Sequence, residues 1–240
     1  DPKGVFTLNA EAFDFIKNHR TKPFFLALSH YSVHGPIRFE PGLKAEYQKI
    51  IDEKKPRQTN AGYAAMVEAL DTSVGQVLEF LDKEGLAQNS LVIFTSDNGG
   101  VSTFTNNAPL RAGKGTLYEG GVRVPLIARW PGRIPAGQTS DTRLCSVDFL
   151  PTFAALAGAP LPENVDGLDI TAALEGKAAP ARDTLYWHYP HYHAEKPSGA
   201  ILKGDWKLIE WFETGKTELF NLATDPNEEK DLSSKNPGKN

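Results

Sequence analysis

The sequence has very little cysteine and no long hydrophobic run. Its single cysteine, Cys145, excludes an internal disulfide but does not fix the compartment, because many exported proteins use none. No stretch approaches the roughly 18 to 20 consecutive apolar residues that cross a bilayer. The first residues, DPKGVFTLNAEAF, do not have the architecture of a signal peptide. We therefore expect no membrane span, and localisation stays open on these grounds.

An excess of basic charge is also missing. The chain has 26 lysine and arginine residues against 30 aspartate and glutamate residues, which gives a formal net charge of -4. Because there is no long basic run either, we expect no nucleic-acid partner. A small or local anionic ligand is compatible with this balance. The 240 residues can bury a sizeable core in one or two domains.

Apolar periodicity predicts several helices. The strongest pattern covers residues 62–84, where apolar side chains form one stripe and Gly85 is placed to end the helix. Shorter helices are expected at residues 10–18, 44–51 and 148–157. In the last of these, Asp148 is the expected cap and Gly158 the expected stop.

Short, continuously apolar runs predict buried strands at residues 24–28 and 91–95, and residues 122–129 add another apolar segment. Strands of this kind alternating with helices are typical of an α/β fold, with a mostly parallel or mixed sheet covered by helices. Ligands of such sheets bind beyond the carboxyl ends of the strands. The motifs SVHGP and SDNGG both lie there.

The character of the sequence changes at about Ala181. The segments TLYWHYPHYH, AILKGDWKLIEWF and TELFNLATDP are rich in aromatic residues and partly alternating, which predicts a small antiparallel sheet. A polar tail begins at Asn227 and is expected to end in disorder. We therefore predict two domains, residues 1–180 and 181–240.

Asp97 and Asn98 stand where the predicted strand 91–95 ends. They offer a carboxylate and a carbonyl oxygen, which suit calcium or magnesium better than zinc. Calcium takes six to eight oxygens, so other ligands must come from elsewhere. The alternative is an Asx turn, in which both side chains only bond the local backbone.

His34 and Lys114 are the other candidate site residues. His34, in YSVHGP, could donate to an anion or protonate a leaving oxygen. Lys114, in RAGKGTLYEGG, could present an ammonium group to an anion, although the loop does not have the spacing of a nucleotide P-loop. The alternatives are a hydrogen-bonded surface histidine and a solvated lysine.

Several segments together carry a resemblance to a known family. They are PFFLALSHYSVHGPI, YAAMVEALDTSVGQVLEFLDKEGLAQNSLVIFTSDNGG, NAPLRAGKGTLYEGGVRVPLIARWPG, DFLPTFAALAGAP, RDTLYWHYPHY and GDWKLIE. In their order and in their amino-acid sequences, these segments resemble those of the formylglycine-dependent sulfatases, the arylsulfatase branch of the alkaline phosphatase superfamily. The resemblance implies a sulfuric ester hydrolase. It also implies the second half of an alkaline-phosphatase-like α/β sheet, followed by a small antiparallel subdomain.

The resemblance gives roles to the four candidate residues. Asp97 and Asn98 match the acid-amide pair that binds the active-site calcium. Lys114 matches the lysine that contacts the sulfate and bridging oxygens, and His34 matches the histidine that helps to protonate the departing alcohol. Zinc-using phosphatases and phosphodiesterases of the superfamily tend to carry Asp-His at this place. An amide oxygen there favours one hard cation and a sulfate ester over paired zinc and a phosphate ester.

The nucleophile of this family is missing from the chain. The family uses a Cys/Ser-x-Pro-Ser-Arg segment whose first residue becomes formylglycine, and the 240 residues contain no such segment. The family's early Asp-Asp calcium ligands and its second Lys and His are missing too. Cys145, in RLCSVD, is instead expected to be a buried structural thiol. We expect this chain to be a fragment, the carboxyl-terminal portion of a longer sulfatase. By itself it should be inactive and should associate through exposed sheet edges.

The segment YWHYPHYH could line a substrate pocket. His188, His191 or His193 would bond sugar hydroxyls, and Trp187 would stack on a ring. A sulfated carbohydrate is therefore the predicted substrate class. The alternative is a strand whose aromatic residues only pack on the main domain.

Two other functions stay open. One is a phosphodiesterase or phosphonate hydrolase of the same superfamily, and the other is a non-catalytic binding module. The resemblance favours a periplasmic or secreted location.

Overall fold

A computed structural model describes residues 1–178, 180–236 and 238 of the chain. It combines helices with strands, which confirms the predicted α/β class. The helices are α1 (Val5–His19), α2 (Pro41–Lys54), α3 (Ala61–Lys83), α4 (Glu119–Val122), α5 (Phe149–Ala157) and α6 (Thr171–Leu174). The strands are β1 (Val92–Thr95), β2 (Leu126–Arg129), β3 (Thr184–Tyr189), β4 (Ser198–Lys203), β5 (Trp206–Trp211) and β6 (Lys216–Asn221).

The chain divides into two compact units. The first consists of Asp1–Ile93 and Ala128–Pro180, and the second of Phe94–Ile127 and Ala181–Asn240. The second unit therefore contains the SDNGG motif and the lysine loop together with the carboxyl-terminal sheet. The division into domains at residue 180 stays a prediction.

The first unit is built around α3, the helix predicted at residues 62–84. Its amino end is capped by Asn60, whose side chain accepts a hydrogen bond from the Tyr63 N–H. Gly85 follows its carboxyl end with a φ of +70°, in the left-handed conformation that glycine adopts without strain. The apolar face of α3 contributes to a core whose fully buried members are Ile16, Leu81 and Ala87.

The strand predicted at residues 24–28 is wrong. The segment has no regular secondary structure, and no strand in the described part of the chain pairs with it. Phe24 and Leu26 pack against the core of the first unit, whereas the Phe25 side chain is 68% exposed. The segment thus buries one side rather than both. Strand formation depends on hydrogen bonds to a neighbouring strand, which the composition of the segment cannot supply.

The strand predicted at residues 91–95 is confirmed as β1, which forms a two-stranded sheet with β2. The apolar segment at residues 122–129 contains the end of a helix and a separate strand. Its first residue, Val122, ends the short helix α4, and only Leu126–Arg129 is strand.

Asp148 is the N-cap residue of α5, as predicted, although its side chain makes no capping hydrogen bond to that helix. It ends a short 3-10 helix, Ser146–Asp148. Its carboxylate accepts hydrogen bonds from the backbone N–H of Cys145 at 2.8 Å and of Leu168 at 2.9 Å. Cys145 is only partly buried, so its description as a buried thiol was too strong. Gly158 ends α5 as predicted, with a φ of +63°.

The carboxyl-terminal part forms the predicted antiparallel sheet, with its four strands in the order β3-β4-β5-β6. Each strand pairs with the next along the chain, and residues alternate between the two faces. One face covers a core whose buried members are Leu117, Tyr118, Ala200, Ile209 and Phe220. The loop that carries Lys114 therefore leads directly into residues of this core.

The first residues of the polar tail are part of the folded structure. Glu228 is fully buried, and the Leu232 N–H donates to the Leu219 carbonyl at 2.8 Å. Predicted disorder at the end of the tail concerns residues 237, 239 and 240, which lie outside the described part. Among the described residues, no helix combines the length and apolarity needed to cross a membrane.

Candidate functional site

The SDNGG motif and the lysine loop lie side by side in the second unit, joined by backbone hydrogen bonds. The Gly99 N–H donates to the Gly121 carbonyl at 2.9 Å, and the Lys114 N–H donates to the Gly100 carbonyl at 3.1 Å. The loop itself is closed by a 2.8 Å hydrogen bond from the Gly120 N–H to the Arg111 carbonyl. Asp97 and Asn98 are therefore held beside the loop that presents Lys114.

The two segments approach so closely that only glycine fits between them. A Cβ atom on Gly99 would lie 1.7 Å from the Gly120 carbonyl oxygen. One on Gly113 would lie 2.3 Å from the Gly100 carbonyl oxygen. Both atoms that would be met belong to backbone, which cannot rotate away as a side chain does. Gly99 and Gly113 are thus required by the close approach of two backbones.

Asn107 joins the same two segments through its side-chain amide. Its Oδ1 accepts from the Gly100 N–H at 3.0 Å, and its Nδ2 donates to the Gly100 carbonyl at 2.8 Å. The same Nδ2 also donates to the Ala112 carbonyl at 3.0 Å. The amide therefore pairs with both backbone polar groups of Gly100 in the motif and with one carbonyl of the lysine loop. Sequence reasoning missed Asn107, because an isolated asparagine in a loop carries no periodic signal.

Asp97 and Asn98 present unpaired oxygens. The Asp97 side chain is exposed and makes no hydrogen bond or ion pair with the described part of the chain. The Asn98 Nδ2 donates to the Gly99 carbonyl at 3.0 Å, which leaves Oδ1 as the free end of the amide. The Ser96 hydroxyl donates to the Asn98 carbonyl at 2.8 Å. The Asx-turn alternative thus accounts for the Asn98 nitrogen but not for the two carboxylate oxygens of Asp97 and the amide oxygen of Asn98.

The oxygens of these two side chains fit part of a calcium site. A carboxylate and an amide oxygen are hard ligands of the kind that calcium prefers, but calcium takes six to eight of them. Within residues 1–178, 180–236 and 238, no group of three or more His, Cys, Asp or Glu residues could hold a metal ion. The described residues therefore offer two calcium ligands and do not complete a site.

Lys114 has a free ammonium group. It is partly buried, and no described residue forms an ion pair with it. The loop on which it stands is anchored through Arg111, whose guanidinium lies 3.9 Å from the centre of the Tyr118 ring. The same guanidinium donates to the Glu228 carbonyl at 2.9 Å. The loop is held at its start while the ammonium stays available for an anion.

A group of three buried charged side chains holds the other end of the loop. The Lys207 ammonium, fully buried, lies 2.9 Å from Glu119 Oε1 and 2.9 Å from Glu228 Oε1. The Glu119 N–H also donates to Glu228 Oε2 at 2.6 Å. Burial raises the pKa of the Glu228 carboxyl, and Lys207 opposes that rise. We call these residues the buried ion group. Sequence reasoning missed it, because lysine and glutamate are rarely fully buried.

Tyr118 ties the same loop to the sheet. Its hydroxyl donates to Glu218 Oε2 at 2.7 Å. Burial raises the pKa of the Tyr118 hydroxyl, and the hydrogen bond to Glu218 raises it further. Tyr118 is therefore a neutral donor over the ordinary pH range.

The histidines of YWHYPHYH have different surroundings in the second unit. The His188 ring lies 5.2 Å from the Phe212 ring, and the His191 ring meets the Tyr189 ring edge-on at 5.0 Å. His193 instead packs on Gly115, the residue after Lys114. The described structure thus brings His193 to the lysine loop, and the roles of His188 and His191 as substrate residues stay predictions.

His34 belongs to the first unit. Its side chain is exposed, and its Nδ1 lies 2.9 Å from the Gly35 carbonyl oxygen. Because a carbonyl can only accept, this contact places the imidazole proton on Nδ1 and leaves Nε2 free. Its role beside a sulfate stays a prediction.

Comparison with known proteins identifies the family. A family model described as Sulfatase matches residues 7–159. The chain belongs to the sulfatase family. A second model, for the carboxyl-terminal part of N-sulphoglucosamine sulphohydrolase, matches residues 112–239. Together these matches span both the SDNGG motif and the lysine loop.

Individual sulfatases agree with this assignment. A protein from Formosa agariphila named Sulfatase is 40% identical over 239 residues, which cover 90% of this chain and 43% of that protein. Human steryl-sulfatase is 37% identical and is matched over 76% of this chain and 31% of its own length. This sulfatase chain thus spans less than half the length of these curated relatives.

A solved structure supports the fold. Ps i-CgsB, crystallised in complex with k-i-k-neocarrahexaose, is 34% identical to this chain with a TM-score of 0.86. The match covers 98% of this chain and 52% of that one. This likeness confirms the predicted fold of a sulfatase portion with an alkaline-phosphatase-like sheet.

Proposed function

We propose that this chain supplies the sulfate-contacting loops of a sulfatase that hydrolyses sulfuric esters. The observation that carries the proposal is the pairing of two loops in the second unit. Backbone hydrogen bonds from the Lys114 N–H to the Gly100 carbonyl and from the Gly99 N–H to the Gly121 carbonyl join the loop that carries Lys114 to the motif that carries Asp97 and Asn98. Asp97 and Asn98 would bind a cation, and Lys114 carries a positive charge of its own. Both positive charges would stabilise a sulfate ester whose sulfuryl oxygens gain negative charge during the reaction.

Each residue has a distinct part in this proposal. The Lys114 ammonium binds the sulfuryl oxygens and the bridging oxygen, because hydrogen bonds hold the backbone of its loop and no carboxylate among the described residues pairs with it. Asp97 and Asn98 hold a calcium ion through their side-chain oxygens, and a bound calcium ion would offset the negative charge of the sulfate group. His34 acts as an imidazolium: its Nδ1–H stays on the Gly35 carbonyl, and its Nε2 proton goes to the departing alcohol oxygen, which makes that alcohol a better leaving group.

The nucleophile and the remaining calcium ligands must come from outside this chain, which contains no Cys/Ser-x-Pro-Ser-Arg segment. We infer that a formylglycine formed in such a segment attacks the sulfur atom. A sulfated saccharide is the proposed substrate class, supported by the carbohydrate complex of the similar Ps i-CgsB structure. A periplasmic or secreted location would agree with such a substrate.

The experiment compares full-length protein, made in a host that forms formylglycine, with the 240-residue chain. We expect the full-length protein to hydrolyse p-nitrophenyl sulfate far better than p-nitrophenyl phosphate, and to lose activity with EGTA and regain it with calcium. The 240-residue chain alone should show no turnover. Equal turnover of both esters, or turnover unaffected by EGTA, would contradict the proposal.

Variants test the assigned residues. Lys114→Ala should lower kcat/KM at least a hundredfold, of the order expected for losing a preorganised charge contact to the transition state. Asp97→Asn should raise the calcium concentration needed for half-maximal activity. The matched control is Lys203→Ala, because Lys203 is an exposed lysine of β4 in the same unit. A Lys114→Ala protein as active as the control would remove this lysine from the reaction.

A further inference from the structure

His193 contacts the backbone of the lysine loop. Gly115 has a φ of +85°, and a Cβ atom built on it would lie 2.3 Å from the His193 Nδ1 atom. The imidazole ring therefore occupies the space that any other residue at 115 would fill. This places an exposed histidine against the peptide that directly follows Lys114.

Tyr189 fixes the orientation of this ring. Its hydroxyl lies 3.1 Å from the His193 Nδ1, and the Tyr189 side chain packs on the core of the second unit. The His193 N–H donates to the Glu195 carbonyl at 3.1 Å, which also restrains the loop. When the phenol donates to Nδ1, the neutral imidazole carries its proton on Nε2.

The Nε2 atom is free to meet a ligand. It makes no hydrogen bond with any residue that the structure describes, and the side chain is exposed. The other two histidines of the segment differ, because His188 lies over Phe212 and His191 packs on the edge of Tyr189. Of the three, His193 is the one whose ring touches the lysine loop.

We propose that His193 is a specificity-determining residue that donates from Nε2 to a sugar oxygen next to the sulfate ester. Tyr189 is its positioning residue, because it acts only by holding Nδ1. This proposal rests on the proposed function, which puts the sulfate at Lys114. A saccharide offers hydroxyl and ring oxygens close to its ester, whereas a small aryl sulfate has no oxygen acceptor there. The enzyme should therefore use His193 for saccharides only.

The test measures kcat and KM of full-length protein for k-i-k-neocarrahexaose and for p-nitrophenyl sulfate. His193→Ala should lower kcat/KM for the saccharide about tenfold, mainly through KM, and should change hydrolysis of the aryl sulfate less than about twofold. His193→Gln keeps a donor and should recover part of the loss. Tyr189→Phe should give a smaller loss and shift the pH profile for the saccharide, because the imidazole loses its hydrogen-bond partner.

Lys203→Ala is the control, because it removes an exposed side chain of β4 in the same unit, and it should leave both substrates nearly unchanged. Circular dichroism of every variant shows whether it has folded, and Tyr189→Phe keeps the ring that packs on the core. An equal loss on both substrates in His193→Ala, or an equal loss in the control, would overturn the proposal. So would a wild-type protein that hydrolyses the aryl sulfate but not the saccharide. A wild-type protein inactive on every sulfate ester would instead refute the proposed function itself.

Discussion

Replacing Lys207 by methionine should lower the free energy of unfolding by about 3 to 5 kcal/mol, the usual cost of removing one partner from a buried ion pair. The ammonium lies 2.9 Å from each of two carboxylates, on Glu119 and Glu228, and Lys207 and Glu228 have no solvent exposure. Methionine fills most of the space of the lysine stem, so little of the loss comes from a cavity. Most of it comes from two carboxylates left buried and facing each other.

The loss should depend on pH in a defined direction. Burial raises the pKa of Glu228, and Lys207 opposes this, so the pKa of Glu228 should rise further in Lys207→Met. A carboxyl group whose folded pKa lies above its unfolded value binds more protons in the folded state. Its contribution to stability is therefore lost as pH rises through the folded pKa and regained as pH falls. The variant should recover stability on acidification relative to the wild type.

Urea denaturation followed by tryptophan fluorescence measures this effect. Trp187, Trp206 and Trp211 all lie on strands of the second unit, so most of the signal reports on the part that contains the buried ion group. Lys203→Met is the control, because it removes an exposed lysine from the neighbouring strand and should cost less than about 0.5 kcal/mol. A Lys207→Met protein within about 1 kcal/mol of the control, or a loss that grows on acidification, would refute this reasoning.

Local patterns predicted the helices well and the strands less well. The helix α3 could be predicted because its apolar stripe repeats with the period of a helix and its ends carry Asn60 and Gly85. The run at residues 24–28 has an equally apolar composition but no strand partner among the described residues. Helical hydrogen bonds lie within the segment, whereas strand hydrogen bonds lie between segments. A strand therefore cannot be deduced from its own residues alone.

Candidate site residues could be named from the sequence, but the way they are held could not. Asp97 was a candidate because a carboxylate suits a hard cation, and Lys114 was a candidate because an ammonium suits an anionic ester. One pattern in the sequence could have indicated that Lys207 is buried. Lys207 lies two residues before the buried Ile209, and residues spaced by two lie on the same face of a strand such as β5. No signal distinguished His193 from the neighbouring histidines, because the path of a loop decides which ring reaches the lysine loop.

Three further predictions concern the packing of the site and the first unit. Gly99→Ala should abolish activity and destabilise the protein, because its Cβ would lie 1.7 Å from the Gly120 carbonyl oxygen. The control Gly75→Ala, in α3 with no atom within 4 Å of the new Cβ, should instead stabilise by about 0.5 to 1 kcal/mol in thermal unfolding. Asn107→Ala removes three hydrogen bonds to the backbone and should lower kcat more than tenfold, and Asn107→Asp should lose at least as much, because a carboxylate oxygen would face the Gly100 and Ala112 carbonyl oxygens. Finally, burial lowers the pKa of His30 from the ordinary 6.5, so the unfolded state takes up a proton more readily than the folded state. The stability that depends on neutral His30 is fully present above the unfolded pKa and is lost as pH falls from there through the lower folded pKa. His30→Gln, which cannot titrate, should therefore flatten the fall in melting temperature below about pH 6.5, and an unchanged slope would contradict this assignment.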